Sequence, residues 1–508
     1  MTQMVITDEM IDGMTSMKGN YIYPKNYIAQ LNPTIFAPEE ITPTAIQNAF
    51  KQFEARQARY ELLRNYYIGK QRFAYSDDSD SATVVSNLCA YIVRTLRGYI
   101  IGNRPQYICK EGDAYGQAIV DLFVKQNKWL VDAKILKDMS TFGRGLELVY
   151  RDRKDPSIPK SARVSPMDGF VAYAGDIERD SVFGAIRYVK VDENQQKTYR
   201  LYVYTVTDVQ VWESNGEDGP WTLVEGPEPH GFGRVPLIEY ANNEEYMGDF
   251  ESIIPLQDAY NALLSDRLDD KNAFAQAVLK ISGQVLGMGA DEVKDSLKKL
   301  KDMKTLQLDS DATADYLVKT FDESGVQIYQ DQIKNDIHKL AMVPDLSDEQ
   351  FANNASGISM AYKMFGTDQA VSDKLSYYEQ GFQRRCKLYD AAINNSTLTP
   401  DYETKCDIGS MSIKFRFNSP QDVSYAATAY TTAISGGFLS KQTAMENLSI
   451  VEDAQMEMER IQKEQDEATE RQKALFEDDY AQNQGGTFPD DVSEDEDESE
   501  AKRQPDRS

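Results

Sequence analysis

Histidine is nearly missing from this chain. There are two in 508 residues, His230 and His338. They stand far apart and neither belongs to a metal-ligand spacing, so histidine-based metal or nucleophile chemistry has no support. Cysteine is scarce too. Cys89, Cys109, Cys386 and Cys406 form no C-x-x-C, which argues against zinc and dithiol redox sites and fits reduced thiols in a cytoplasm. No run reaches about 18 uncharged apolar residues, so no membrane-spanning helix is expected. The first residues lack the basic start and apolar core of a signal peptide. The motifs G-x-S-x-G, H-E-x-x-H and G-x-x-x-x-G-K-[ST] are missing as well. A stretch from Asp309 faintly resembles a calcium loop, but Ala314 stands where that loop needs Gly and Thr320 where it needs Glu. These absences predict no enzymatic activity, no metal and no cofactor.

Positive charge is also in deficit. Fifty-five Lys and Arg face 82 Asp and Glu, a net charge of −27. Duplex-binding proteins are usually basic, because their cations displace phosphate counterions. This chain as a whole repels DNA. That argues against a sequence reader and leaves open a channel through which DNA slides without adhering. With so many carboxylates, paired acids carry no information by themselves.

What is present is a 41% hydrophobic chain, long enough for roughly three to four domains. Residues 1–44 show no sustained period and predict an arm or extended segment. Helical spacing then runs over 44–69, with Phe50, Phe53, Tyr60, Leu63 and Tyr67 near one face. A second helix carries Leu88, Ile92, Val93 and Leu96 and is expected to stop at Gly98, with a strand-like stretch around Arg104-Pro105. Helical spacing resumes over 113–140, and Gly143 and Gly145 mark a turn into a strand. From Val182 to Tyr240 the period becomes two, with strands over 198–206 and 209–212 and a hairpin signal at Asn215-Gly216. Sheet with helices in this order predicts an α+β domain.

Then the pattern changes. Asp249 is a candidate cap for a long helix, whose apolar stripe is Leu256, Tyr260, Leu264 and Leu268 and whose wet face holds Asp258, Asp266, Asp269 and Lys271. The helix is expected to reach Leu279. A small piece follows, with a short helix at Val293, Leu297 and Leu300 and strands at TLQL and YLVKTF. A returning helix has Ile333, Ile337 and Leu340 on one stripe and Pro344 as its stop. Residues 344–357 are polar and read as a loop. A very long helix covers 358–394, with bends expected at Gly366 and Gly381. Ile413, Phe415 and Phe417 alternate with polar residues, as in a strand. Residues 421–480 are helical and increasingly charged, with Ser440 as a helix start. From Thr487 to Glu500 there are eight acids and no cation, a solvated tail.

Several stretches in this order resemble the portal (head–tail connector) proteins of tailed bacteriophages, siphophage type. They are LLRNYYIGKQ from Leu62, YIVRTLRGYIIGNRPQY from Tyr91, DMSTFGRGLELVY from Asp138, IPLQDAYNALLSDRLDDKNAFAQAVLKISG from Ile254 and NNASGISMAYKM from Asn353. The stretch from Ile254 is the most specific. The resemblance spans roughly Ala45 to Lys473. It implies an α+β portal fold with a wing at 45–248, a stem helix at 249–280 and a small α/β clip at 281–325. A second stem helix at 326–343, a tunnel loop at 344–357 and a long kinked helix at 358–395 follow. Wing strands at 396–420 and a helical crown at 421–480 complete it, with the arm at 1–44 and a disordered acidic tail at 481–508.

The resemblance also implies a ring, typically of twelve subunits, at one capsid vertex of the virion, assembled in the host cytoplasm. Double-stranded DNA would enter through it during packaging and leave during infection. The terminase large subunit and later a head–tail connector or adaptor would dock on it, beside the major capsid and scaffolding proteins. The DNA-facing candidates are Asp345, Leu346, Ser347, Asp348, Glu349, Gln350, Phe351, Asn353 and Asn354. Only Leu346 and Phe351 offer anchors, so this loop is expected to have low local stability. Lys294, Lys298, Lys299, Lys301 and Lys304 form the densest basic cluster, in the clip. They meet phosphate or an acidic partner, or they form a solvated helix face, since acids are interleaved. Two other classes stay open: another structural virion protein such as a minor head protein, and a metal-dependent hydrolase.

Overall fold

A computed structural model describes residues 34–71, 83–191, 197–216, 219–275, 278–282, 313–317, 323–346, 357–394, 408–418, 423–448, 450–451 and 454–483. The chain divides into two units, Met1–Ser419 and Pro420–Ser508. The first mixes helices with mostly antiparallel sheet, an α+β arrangement.

Strand β1 (Ile35–Phe36) lies parallel to β5 (Gly169–Tyr173), so this part of the expected arm is sheet. Its burial explains the difference: Ile35 is fully buried. The predicted helix over 44–69 is two helices, α1 (Pro43–Glu54) and α2 (Gln57–Ile68). Thr42 caps α1 through its side chain, which accepts from the Ala45 amide. Helix α1 lays Ile46, Ala49, Phe50 and Phe53 on a six-stranded sheet ordered β1-β5-β6-β7-β8-β9. Its other strands are β6 (Ser181–Val191), β7 (Lys197–Tyr204), β8 (Asp208–Ser214) and β9 (Thr222–Pro229). Phe53 stacks on Phe170 with ring centroids 4.9 Å apart. The period of two explains the sheet: Tyr199, Leu201 and Val203 alternate inward from β7.

Helix α3 (Leu88–Ile101) continues through Gly98, which was expected to end it, because Tyr99, Ile100 and Ile101 go on packing into the core. The strand expected near Arg104-Pro105 is β2 (Gln106–Ile108), paired with β13 (Ser412–Lys414). Helices α4 (Ala114–Lys125) and α5 (Lys128–Phe142) replace one predicted helix, broken where Asn127 turns left-handed. Gly143 ends α5 at φ 79° and leads into β3 (Arg144–Arg151). Only glycine fits there, since an added Cβ would lie 1.7 Å from the Tyr246 carbonyl. Strands β10 (Leu237–Ala241), β3 and β4 (Pro159–Val164) form a second sheet.

Helix α6 is Ile254–Ala275, preceded by a 3-10 turn over Glu251–Ile253. Asp249 does not cap it: its carboxylate accepts from Asn242 and Lys374. Val278 and Leu279, expected to be the end of that helix, lie instead in strand β11 (Val278–Ser282), paired with β12 (Thr313–Leu317). Residues 283–312 hold the predicted short helix and the TLQL strand, and they lie outside the described residues. Helix α7 (Glu323–Leu340) returns, and α8 (Gly357–Asn394) leaves as one 38-residue helix that passes both glycines. Gly381 lets α8 touch β10, for a Cβ would come within 2.3 Å of the Tyr240 ring. The large core packs Val371, Tyr378, Phe382 and Tyr389 of α8 against α3, α4 and α5.

The second unit contains α9 (Val423–Ser435), α10 (Lys441–Asn447) and α11 (Ala454–Asn483). Ser440 caps α10 by accepting from the Thr443 amide, as predicted. The acidic stretch from residue 487 lies outside the described residues.

Candidate channel segment and its framework

The polar segment after α7 is described only at its root. The structure describes Pro344, Asp345 and Leu346, while Ser347, Asp348, Glu349, Gln350, Phe351, Asn353 and Asn354 lie outside the described residues. So do all five clip lysines, Lys294, Lys298, Lys299, Lys301 and Lys304.

The root is clamped from three helices. Helix α7 ends at Leu340, four residues before Pro344, because Met342 turns left-handed at φ 53° and reverses the chain. Val343 then folds back: its amide donates to the His338 carbonyl, and His338 donates from Nδ1 to the Val343 carbonyl at 3.0 Å. Thr367 of α8 donates to the Met342 carbonyl at 2.7 Å. The Tyr91 hydroxyl of α3 donates to the Pro344 carbonyl at 2.9 Å and accepts from the Leu346 amide at 3.0 Å. Its ring also meets that of His338 edge to face. Lys334 of α7 pairs with Asp345 at 2.6 Å. The hydrogen bond to Asp345 pushes the Lys334 ammonium above its usual pKa.

Two expectations change here. Leu346 anchors the root through its amide, because its side chain is half exposed. Asp345 is an ion-paired acid of the root. Neither Tyr91, Lys334 nor Thr367 carries a sequence signal that links it to this segment, since the bonds cross up to 255 positions.

A buried polar framework lies further along α8. Arg385, on the apolar stripe of α8, is fully buried. It donates from Nε to Glu147 at 2.8 Å and from Nη2 to Asp132 at 2.6 Å. Tyr240 donates to Glu147 and Tyr107 to Asp132, each at 2.6 Å. Lys128 donates to the Ser161 hydroxyl at 2.8 Å. Two cations thus face two carboxylates, which makes the cluster neutral. Burial alone would raise the Glu147 carboxyl, but the charges of Arg385 and Lys128 outweigh it and hold the group below its usual value. Burial lowers Lys128 to about 8. Arg385, Glu147, Asp132 and Lys128 are all sealed from solvent. The missed signal was a cation inside an apolar helical stripe.

A second framework fixes α6. Arg59 grips Glu251 with two bonds of 2.7 Å, and the Tyr66 hydroxyl donates to Asp258 at 2.6 Å. Gln257, Asn261 and Ser265 stand four residues apart. They accept from the amides of Leu88, Ser86 and Val84 at 3.2, 2.9 and 3.0 Å. The match is geometric: four helical residues rise about 6.0 Å, and two extended residues span about 6.6 Å. Of the face of α6 expected to be wet, Asp266 and Lys271 are exposed but Asp258 is buried; of the predicted stripe, Tyr260 is buried and Leu256 and Leu264 pack on the core, while Leu268 is exposed. On α7, Ile333 and Ile337 are buried as predicted but Leu340 is exposed.

His230 is satisfied locally. It accepts at Nδ1 from the Phe232 amide and donates from Nε2 to the Thr205 carbonyl at 3.0 Å. Burial lowers its pKa. Among the described residues no group of His, Cys, Asp or Glu is arranged to hold a metal ion. No described helix is long and apolar enough to cross a membrane.

The sequence profile of the family described as "Phage portal protein, SPP1 Gp6-like" matches residues 46–471. The chain belongs to this family. A portal protein of Bacillus phage SPP1 is 24% identical over 339 residues, 64% of this chain and 64% of that protein. A portal protein of Clostridium phage phiCD119 is 22% identical over 148 residues, 29% of this chain and 30% of that protein. The aligned parts thus cover less than two thirds of either relative's length. The match to the portal family takes in α6, α7, the segment between α7 and α8, and α8 itself.

Proposed function

We propose that this chain is a non-enzymatic subunit of a portal ring, typically of twelve copies, at one capsid vertex of a tailed-phage virion. Double-stranded DNA passes through its centre during packaging and ejection. Residues 344–357 form the tunnel loop, 249–280 and 326–343 the stem, 281–325 the clip, 45–248 and 396–420 the wing and 421–480 the crown. The clip, with its lysines, receives the terminase large subunit and then a connector or adaptor. Capsid and scaffolding proteins surround the ring, which assembles in the host cytoplasm.

The observation that carries this reading is the portal-family match over residues 46–471. It is supported by large apolar side chains left exposed on the two helices that flank the loop. Ile328, Tyr329 and Leu340 on α7 and Tyr362 and Phe365 on α8 are all more than half exposed. A neighbouring copy in a closed ring would cover such side chains. Mass photometry and negative-stain imaging of the purified chain test the reading. Rings with a central hole are expected. Monomers or dimers alone, across several salt concentrations at micromolar protein, overturn it.

A further inference from the structure

We infer that the outer face of α3, carrying Arg94 and Arg97, contacts the phosphate backbone of duplex DNA. The inference rests on the portal reading, which brings DNA past the root of the 344–357 segment. It starts from charge. From Ser81 to Lys110, thirty consecutive residues hold no Asp or Glu and four cations, Arg94, Arg97, Arg104 and Lys110. In a chain of net charge −27 this is the longest acid-free run.

The fold then places two of those cations. Tyr91, Arg94 and Arg97 stand at i, i+3 and i+6, a line climbing the open side of α3 by about 4.5 Å per step. At its lower end Tyr91 holds the root of the polar segment through Pro344 and Leu346. Arg94 and Arg97 are exposed, and neither makes an ion pair or hydrogen bond with the described residues. Gly98 lies beside them on the same face, and a Cβ there would meet nothing within 4 Å. The surface is therefore open as well as basic.

Guanidinium groups match phosphate oxygens in geometry and stay charged at any working pH. Two arginines in an acidic subunit give a weak contact that repeats around a ring, which steadies moving duplex without arresting it. An acidic protein would need the same cations. Adjacency to the segment nearest the DNA favours duplex.

The test compares wild type, the pair Arg94→Gln with Arg97→Gln, and the pair Arg94→Lys with Arg97→Lys. Binding of a short random-sequence duplex and of a polyglutamate peptide is measured across salt concentrations. Thermal melting and ring mass are followed in parallel. Both side chains are exposed, so unchanged folding and ring mass are expected. The Gln pair should bind duplex several-fold more weakly, with the slope of log affinity against log salt flatter by about 1.8 for two lost contacts. The Lys pair should restore the slope. Three results overturn the inference: wild-type rings without salt-dependent duplex binding, Gln-pair rings with unchanged affinity and slope, or loss of polyglutamate binding alone. Failure of wild type to form rings would count against the portal reading instead, and duplex binding lost in the Gln pair would still support this surface.

Discussion

Helices α6 and α8 both run through the first unit and both bury polar side chains; α6 has one buried charge, Asp258, held by the Tyr66 hydroxyl, whereas α8 sets its charges against opposite ones. Helix α6 buries the amides of Gln257 and Asn261, which bind backbone N–H groups of the segment before α3. Helix α8 buries the charges of Lys374 and Arg385, which bind carboxylates on other elements. The difference matters for what each helix permits. A neutral amide ladder repeats every four residues and fixes the axial position of a rod. A buried ion cluster holds only one arrangement, because losing one member leaves charge without a partner in a dry interior.

Removing Arg385 is the most severe way to break the contrast. Arg385→Met leaves two buried carboxylates, Glu147 and Asp132, facing one cation, Lys128, and should cost about 3–5 kcal/mol. Urea unfolding would show this as a lowered midpoint. A quadruple change that also replaces Glu147, Asp132 and Lys128 by apolar residues should recover much of the loss, and no recovery would show that packing, not charge, holds α8.

On α6, Asn261→Ala should cost about 1–3 kcal/mol, since it removes the acceptor of the Ser86 amide. Hydrogen exchange should speed up at the Ser86 amide more than at amides around Arg385. Equal speeding at both places would mean the two frameworks open together.

The α8 cluster also has a pH signature. Burial raises the Tyr378 phenol well above 10 in the folded chain, with the Asp132 charge adding to it and Arg385 opposing it. Unfolded tyrosine ionises near 10, so the unfolded state alone sheds this proton as pH climbs. The contribution of Tyr378 is intact below pH 10 and is lost above it. Tyr378→Phe should therefore reduce the fall in stability between pH 9 and 11 by about 1.4 kcal/mol. An unchanged pH profile would place the phenol in contact with water.

The smallest effect is expected at the segment root. Asp345→Asn loosens the pair with Lys334, which is partly solvated, and should change global stability by less than about 1 kcal/mol. Exchange at the Leu346 amide should nonetheless quicken. No change there would show that Tyr91 holds that amide without help from the ion pair.

The amino-acid sequence by itself determined the α+β class, the alternation that makes β7 and β8, the Ser440 cap and the succession of long helices around a polar segment. These follow from local periods and from residues acting on their own neighbours. It also carried the order of short stretches by which the portal family is recognised. It missed the burial of Asp258 on α6, the end of α3, the strand that begins at Val278 and the ion pair of Asp345. Each depends on a partner outside its own helix or strand: Tyr66 for Asp258, the core for Tyr99 to Ile101, β12 for β11 and Lys334 for Asp345. Tertiary structure decided them, because a polar side chain belongs in the interior only when a specific donor or acceptor meets it there, and no local pattern records that meeting.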